Sequence, residues 1–246
     1  MRSPLRKPLK ELLSSALAVL PQRPLFNIVE QRRLPFALDR LTARGLELNT
    51  VYDIGAHKGE WTRATRKTLK RAKFILFEGN SQHIASLRAV GSPYFIALLS
   101  SSVKTVQFFA TGGTGDSYFA ETTGLYSEVA PTSAETTTLD LIVGEYALPK
   151  PDFIKVDTQG SELDVLSGAS DCLQHCSLIL LECPLVDYNN GAPNIHEYLE
   201  FLKNRDFVPF ELTETHIVDD ILIQADLLFL RRGIYERLFA RNGARA

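Results

Sequence analysis

Cysteine, long apolar runs and excess charge are all scarce in this sequence, and each shortage excludes a class of protein. Three cysteines in 246 residues cannot supply the disulfide framework typical of small secreted domains. No apolar run approaches the roughly 20 residues needed to cross a bilayer. A formal net charge of −2 gives no electrostatic reason to expect a nucleic acid or an acidic membrane as a partner. We therefore expect a cytoplasmic protein with no nucleic-acid partner and no integral membrane association.

The three cysteines lie close together in the sequence, at Cys172, Cys176 and Cys183. With His175 they could be taken for metal ligands, but a C-x-x-x-C spacing at a helix end suits zinc poorly. Cys176 and Cys183 also flank a strongly apolar run, which favours small buried thiols. The sequence therefore predicts no dedicated set of metal ligands.

The first 20 residues combine basic and apolar positions, as a signal peptide does. However, apolar side chains between Leu9 and Leu20 recur at intervals of three and four residues. They therefore line one face of a helix, and Pro21 ends it. We favour an amphipathic docking helix, with a cleaved signal and attachment to a membrane surface as alternatives.

From residue 50 onward, short apolar runs alternate with helical segments, which is typical of a parallel sheet covered by helices on both faces. Strands are predicted over residues 51–54, 74–77, 94–98, 153–156 and 178–181. Helices are predicted over residues 59–70, 81–90, 161–168 and 195–203. Residues 207–212 and 225–230 predict two strands with no helix between them, and thus an antiparallel hairpin that closes the sheet. Residues 103–138 break the rhythm and predict a loop- or hairpin-rich insertion.

The length of the chain suits one large domain better than two. We divide it into an N-terminal helical cap over residues 1–48, a catalytic domain over residues 49–232 and a C-terminal tail over residues 233–246. The cap is expected to cover the active-site cleft or to contact a second copy of the chain in a homodimer.

The stretch V-Y-D-I-G-A-H-K-G-E-W, residues 51–61, places a glycine-containing turn between a predicted strand and a predicted helix. At the carboxyl end of a parallel strand, such a turn can cradle a cofactor. Gly55 permits the tight turn, and Gly59 lets the helix start close to the ligand. The second strand ends at Glu78, 19 residues beyond Gly59. An acidic side chain there can accept hydrogen bonds from a ribose.

The residues inside this turn separate two classes of cofactor. A dinucleotide-binding turn reads G-x-G-x-x-G, and its middle glycine makes room for a pyrophosphate. Here His57 takes that place, and Asp53 adds a negative charge that would repel a pyrophosphate but attract a cationic sulfonium. The pattern favours S-adenosyl-L-methionine over NAD. An NAD-dependent oxidoreductase of Rossmann type and a non-catalytic nucleoside-binding module are the rival interpretations.

Further cofactor contacts are predicted beside these positions. Ala56 and His57 form the cradle itself, and Asn80 follows Glu78 closely. Ser100 and Ser101 follow the third strand, where they either contact the adenine or simply end the strand.

Several motifs, in order along the chain, resemble the FkbM family of S-adenosylmethionine-dependent O-methyltransferases over roughly residues 48–232. V-Y-D-I-G-A-H-K-G is similar to that family's D-I-G-A-N-x-G, and F-E-G-N to its F-E-P-N. T-L-D-L-I, D-F-I-K-V-D-T-Q-G-S-E-L-D-V-L-S-G-A, L-I-L-L-E-C and Q-A-D-L-L-F-L also resemble family segments. His57 and Gly79 depart from the pattern, where Asn and Pro are usual. The resemblance implies an α/β, Rossmann-like class I methyltransferase sheet of seven mostly parallel strands with an antiparallel last strand.

Acidic residues at the ends of later strands are the candidates for catalysis. Asp157 is predicted to act as the general base or to orient the acceptor, with a helix cap as the alternative. Glu182 could orient the substrate, pair with Asp157 to hold Mg²⁺, or bond loop amides as a buried carboxylate. His196 is an alternative base. Lys155 lies within an apolar strand and needs an acidic neighbour, for which Glu182 would serve.

We therefore expect an S-adenosylmethionine-dependent O-methyltransferase. Its acceptor is expected to be a hydroxyl of a small molecule, a sugar or a glycosylated metabolite. The carboxylates at the strand ends carry the chemistry in this interpretation.

Overall fold

The computed structural model describes residues 22–110, 116–118, 130–186 and 191–239. The amphipathic helix predicted between Leu9 and Leu20 lies outside the described residues. The same holds for parts of the predicted insertion, residues 111–115 and 119–129, and for the end of the predicted tail.

The described residues form ten strands, eight α-helices and one 3₁₀ turn. In chain order the strands are β1 (Thr50–Ile54), β2 (Lys73–Glu78), β3 (Tyr94–Ile96), β4 (Leu98–Leu99), β5 (Thr105–Phe108), β6 (Thr132–Thr137), β7 (Phe153–Val156), β8 (Leu178–Pro184), β9 (Phe207–Val218) and β10 (Ile221–Arg231). The helices are α1 (Gln22–Thr42), α2 (Glu60–Thr65), α3 (Ile84–Val90), α4 (Leu139–Glu145), α5 (Glu162–Ser167), α6 (Ser170–His175), α7 (Ile195–Lys203) and α8 (Arg232–Phe239), and the 3₁₀ turn is Ser81–His83. Within the described ranges, none of these helices combines the length and the apolar character that a membrane crossing requires.

Seven strands form one sheet in the order β3-β2-β1-β7-β8-β10-β9. All neighbouring pairs are parallel except those of β10, which runs antiparallel to both β8 and β9. The predicted seven-stranded, mostly parallel sheet with an antiparallel last strand is thus confirmed, and β9 and β10 form the predicted closing hairpin.

The order of the strands fixes where a ligand can bind. From β1 the chain moves outward to β2 and β3, then returns to pair β7 on the other side of β1. The carboxyl ends of β1 and β7 therefore flank a switch point, where crossovers leave the sheet in opposite directions and open a crevice.

Near the edge strand β3, the structure differs in detail from the sequence expectation. The predicted strand over residues 94–98 is split, because β4 leaves the main sheet and joins a second sheet of order β4-β6-β5. Strands β5 and β6 pair antiparallel, as expected for a hairpin-rich insertion. This small sheet carries the insertion over the carboxyl end of β2.

The helix after β1 is shorter than predicted and ends at Thr65 instead of near residue 70. Arg63 lies three residues before Arg66 and four before Lys67, and Lys70 lies three residues after Lys67 and four after Arg66. Like charges at that spacing destabilise a helix. The chain continues instead in turns, and the Arg66 guanidinium donates to the Val90 carbonyl.

Each face of the main sheet carries its own apolar core, because successive strand residues point to opposite faces. On one face, Tyr52 and Ile54 pack with helices α4 to α7. On the other, Val51 packs with α1 and α3. All three cysteines are free and buried on the first face, which confirms their interpretation as structural thiols.

The two terminal helices lie on the second face. Ala37, Leu38 and Leu41 of α1 are fully buried there, and Arg40 of α1 forms an ion pair with Glu211 of β9 at 2.5 Å. Apolar residues of α8 pack against the same core. Helix α1, the described part of the predicted cap, thus contacts the hairpin strand β9. The division at residues 48 and 232 stays a prediction.

Strand β10 offers a matched test of this packing. Leu228 is 0% exposed whereas Leu222 of the same strand is 40% exposed. We expect Leu228→Ala to lower the free energy of unfolding by about 2–5 kcal/mol, because it leaves a cavity in the core. Leu222→Ala should cost about 0.5 kcal/mol. Urea denaturation followed by circular dichroism measures both, and equal losses would contradict the packing described.

Candidate active site

The turn between β1 and α2 brings the backbone of β1 against that of β7. Gly55 and Gly59 have φ values of 71° and 75°, and His57 also lies in the left-handed region at 49°. A Cβ atom at Gly55 would lie 1.7 Å from the Asp157 carbonyl oxygen. Only glycine therefore fits at Gly55, because the Asp157 carbonyl already occupies the space of a side chain.

The side chain of Glu78, at the end of β2, is held by hydrogen bonds from backbone amides. One carboxylate oxygen accepts a hydrogen bond from the His57 amide at 2.6 Å, and the other accepts one from the Asn80 amide at 2.8 Å. Burial raises the pKa of Glu78, and these two amides oppose the rise. Each carboxylate oxygen keeps further lone-pair capacity, so the fixed carboxylate can accept hydrogen bonds from a ligand.

Asp53 lies behind the turn. Its side chain is completely buried, accepts a hydrogen bond from the Thr62 hydroxyl at 2.6 Å and lies 3.3 Å from the Lys155 ammonium. Burial raises the pKa of Asp53, and Lys155 and Thr62 oppose the rise. Asp53 thus does not face the cavity in which a sulfonium would lie, and its predicted part in cofactor binding stays a prediction.

Lys155 links Asp53 to Asp157. Its ammonium lies 3.3 Å from Asp53 and 3.2 Å from Asp157, and it donates to the Gly55 carbonyl at 3.0 Å. Burial alone lowers the pKa of Lys155, but Asp157 and Asp53 outweigh burial and hold the pKa above its usual value. The acidic partners are therefore these two residues and not Glu182, which the sequence had suggested.

A row of polar groups continues from Asp157 along the carboxyl ends of β7 and β8. The Gln159 side-chain amide donates to Asp157 at 2.9 Å and to Glu182 at 2.6 Å. Burial works to raise the pKa of Asp157, but Lys155 and Gln159 lower it below its usual value. For Glu182, burial and the neighbouring Asp157 charge raise the pKa well above its usual value. Asp157 and Glu182 thus share the side-chain amide of Gln159. The Mg²⁺ site predicted between the two acids stays a prediction.

The closing hairpin extends this row with two residues that sequence reasoning missed. Asp226 of β10 lies directly opposite Glu182 of β8. His216 Nε2 of β9 lies 4.0 Å from Glu182 and 3.9 Å from Asp226. The motif Q-A-D contained Asp226, and the expected antiparallel pairing offered a signal for it. His216 lies beyond the strand predicted over residues 207–212, so no signal pointed to it.

These residues surround a cavity of about 320 Å³. Five residues predicted for the site line it, namely Gly55, His57, Glu78, Asp157 and Glu182. Its wall also contains apolar side chains, Phe77, Ala97, Leu98, Leu99 and Phe108 among them. The cavity wall therefore combines apolar side chains, which suit a flat base, with acidic groups.

Four other residues predicted to contact a cofactor also lie within the described part of the chain. Ala56 and Gly59 belong to the turn but do not line the cavity. The Asn80 side chain accepts from the Gln82 amide and donates to Asp116. Buried Ser100 donates to Asp164 at 3.1 Å. The contacts predicted between these residues and a cofactor stay predictions.

Ser101 and His196 are also absent from the cavity lining. His196 is exposed in the first turn of α7, where its amide donates to the capping Asn194 side chain. The structure thus brings His216, and not His196, to the candidate active site.

Glu162 fixes the loop that carries Gln159. Its buried carboxylate accepts hydrogen bonds from the Thr158 and Gly160 amides and from the Tyr198 hydroxyl, the last at 2.5 Å. Gln159 itself has a left-handed backbone with φ of 54°. This anchoring holds the Gln159 amide between the two acids.

The cavity fits S-adenosylmethionine better than a dinucleotide. Glu78 presents a fixed carboxylate at the place where a ribose diol binds in open parallel sheets. His57 occupies the position that a pyrophosphate would need. The strand order and this site together define a methyltransferase of class I.

Comparison of the sequence with protein families agrees with the assignment as a methyltransferase. Residues 53–209 match the Methyltransferase FkbM domain. The chain belongs to this family and is an S-adenosylmethionine-dependent methyltransferase. A search of the curated proteins finds no match.

Solved structures of methyltransferases are among those to which this chain is similar. Magnesium protoporphyrin IX methyltransferase (ChlM) from Synechocystis PCC 6803, with bound SAM, is 9% identical, with 84% of this chain and 81% of that chain covered and a TM-score of 0.47. An S-adenosylmethionine-dependent methyltransferase from Clostridium acetobutylicum ATCC 824 is 7% identical, with 85% and 99% covered and a TM-score of 0.47. At these values the likeness carries no argument about this chain.

Removal of the buried ammonium tests the electrostatics of the site. We expect Lys155→Met to lower the free energy of unfolding by about 3–5 kcal/mol, because it leaves the Asp53 carboxylate buried without its partner. Lys150→Met makes the same change in a surface ion pair, Lys150–Asp171, and should cost about 1 kcal/mol or less. Asp53→Asn combined with Lys155→Met should recover part of the loss. Similar costs for both single variants would contradict this role of Lys155.

The difference in stability between the wild type and Lys155→Met should also depend on pH. The lowered pKa of Asp157 stabilises the wild type above the unfolded pKa, and this contribution is lost as the pH falls through the folded pKa. In Lys155→Met, protonation of Asp53 and Asp157 neutralises the carboxylates that have lost their ammonium partner. The stability difference between the two proteins should therefore shrink as the pH falls from neutral, as measured by urea denaturation.

Proposed function

We propose that this methyltransferase acts on oxygen, and that its acceptor is a hydroxyl of a small molecule of the sugar or glycosylated-metabolite type. The observation that carries the proposal is the polar group of Asp157, Glu182, Gln159 and His216 in the cavity wall. Carboxylates, an amide and an imidazole are the groups that hydrogen-bond several hydroxyls at once. Such a surface suits a polyhydroxylated acceptor.

S-adenosylmethionine, when bound, supplies an electrophilic methyl group on a cationic sulfonium. The acceptor oxygen forms a bond to this methyl carbon while the carbon–sulfur bond breaks, and the hydroxyl proton passes to a base. Such a displacement depends chiefly on the positioning of the reactants. The residues of the chain therefore need to orient one hydroxyl and receive its proton.

Asp157 is suited to this task. Its side chain lines the cavity and is 37% exposed, and Lys155 and Gln159 hold it in the charged form against the effect of burial. A weak base suffices, because the oxygen becomes strongly acidic as it gains the methyl group. Glu182, whose pKa is raised, can donate a hydrogen bond to a second hydroxyl, and His216 faces the same space.

Features of the turn argue against the rival interpretations. An NAD-dependent oxidoreductase needs room for a pyrophosphate, where His57 stands. A non-catalytic nucleoside-binding module would have no use for Glu182 and Asp226, the acids beyond the Lys155–Asp157 pair.

Calorimetry with S-adenosylhomocysteine tests the donor site. We expect binding in the micromolar range, roughly −8 kcal/mol. Glu78→Ala should weaken it by about 10-fold to 100-fold, because it removes the hydrogen-bond acceptor proposed to hold the ribose. Glu236→Ala, a change at an exposed residue of α8, is the control and should leave the affinity unchanged. Equal affinity of the Glu78 variant would contradict the assignment.

A labelled methyl donor, screened against sugars and glycosylated metabolites, identifies the acceptor and then tests Asp157. We expect Asp157→Asn to lower kcat by about 10²-fold to 10⁴-fold, because the base is lost, while S-adenosylhomocysteine still binds. Asp171→Asn, at an exposed residue, is the control. Full turnover by Asp157→Asn would refute the catalytic role, and label on nitrogen or carbon would refute O-methylation.

A further inference from the structure

A second group of potential ligands includes Glu78 and lies where the insertion meets the 3₁₀ turn; one member, Asp116, lines the same cavity as Glu78. One carboxylate oxygen of Glu78, one ring nitrogen of His83 and one carboxylate oxygen of Asp116 all lie within 4.8 Å of one another. Glu78 ends β2, His83 ends the turn that follows, and Asp116 comes from the described part of the insertion. Three separate segments of the chain thus place ligand atoms around one point.

The ring nitrogen of His83, buried and unpartnered in the described part of the chain, indicates that a ligand can bind between these three side chains. Its side chain is 5% exposed, and its Nε2 atom is buried with no hydrogen-bond partner among the described residues. Nε2 lies 3.7 Å from Asp116 Oδ2, which is too long for a hydrogen bond. Two ligand atoms that each bind the same zinc ion at about 2.1 Å lie roughly 3.5 Å apart. The observed separation therefore suits a shared ion.

The surroundings favour a cation and hold its ligands in place. Two carboxylates converge here, and no lysine or arginine of the described residues forms an ion pair with Glu78. The Asn80 side chain donates to Asp116 at 2.7 Å, and the Asn80 amide donates to Glu78 at 2.8 Å. The His57 ring packs edge-on against His83, with centroids 4.2 Å apart. Hydrogen bonds of this kind orient metal ligands.

We propose that Glu78, His83 and Asp116 bind a divalent transition-metal ion of the zinc type, and that this ion competes with the methyl donor for Glu78. One imidazole and two carboxylates suit Zn²⁺ and its first-row neighbours better than Mg²⁺, which prefers oxygen ligands alone. The competition rests on the proposed donor site, because a ribose and the ion would need the same carboxylate. Metal binding itself does not depend on that proposal.

Titration with Co²⁺ tests the site, because this ion replaces zinc and reports its ligands by visible absorption. The full chain, freed of metal with a chelator, should bind one Co²⁺ and develop visible bands, while Mg²⁺ should not displace it. His83→Ala and Asp116→Asn should each weaken binding by at least about tenfold. His175→Ala, at an exposed histidine, and His216→Ala should bind as the wild type does.

Several results would overturn the site. Absence of saturable Co²⁺ binding would do so, as would binding that survives both His83→Ala and Asp116→Asn. Loss of binding in His216→Ala instead would place the ion beside Glu182 and Asp226. Thermal unfolding of each variant shows whether it is folded, and the Asp116 change tests the site separately if His83→Ala does not fold.

Calorimetry with both ligands tests the competition. Saturating Co²⁺ should weaken S-adenosylhomocysteine binding about tenfold, and S-adenosylhomocysteine should weaken Co²⁺ binding by the same factor, because coupling between two ligands is reciprocal. In His83→Ala the effect of Co²⁺ should vanish while S-adenosylhomocysteine still binds. Independent binding of the two ligands would overturn the competition. Failure of S-adenosylhomocysteine to bind the metal-free wild type would instead refute the donor site.

Discussion

The Lys155 ammonium, buried between Asp53 and Asp157, is the interaction on which the site depends. It joins β1 to β7 at the switch point, since its nitrogen also donates to the Gly55 carbonyl. A charge in the interior is tolerated only when it is paired and hydrogen-bonded. The arrangement therefore fixes the turn above β1 and the carboxylate at the end of β7 relative to each other, and it keeps Asp157 charged next to the cavity.

Two groups of polar residues line the cavity beside this link. One contains Glu78, whose carboxylate is held by two backbone amides. The other contains the acids at the ends of β7 and β8 and His216 of the closing hairpin. In the proposed function the donor binds at the first group and the acceptor at the second, and both groups lie at the carboxyl edge of the sheet. Glu78 also belongs, with His83, to the proposed ion site.

The positions of the site residues were predictable where they depend on strand ends, and unpredictable where they depend on side-chain direction. Glu78, Asp157 and Glu182 follow short apolar runs, so a parallel sheet must collect them at one edge. Every residue of β1 is buried, and no alternation of polar and apolar residues shows that Asp53 points away from the cavity. His216 escaped prediction because β9 continues past its apolar start, and register shifts in the hairpin decide which side chains reach the cavity.

A crystal structure of the chain with S-adenosylhomocysteine tests the central claim most directly. The account predicts that the ribose hydroxyls lie within hydrogen-bonding distance of the Glu78 carboxylate, about 2.5–3.2 Å. It also predicts that the sulfur lies on the side of the cavity that Asp157 faces. A ligand bound elsewhere, or a Glu78 side chain turned away from the ribose, would contradict it.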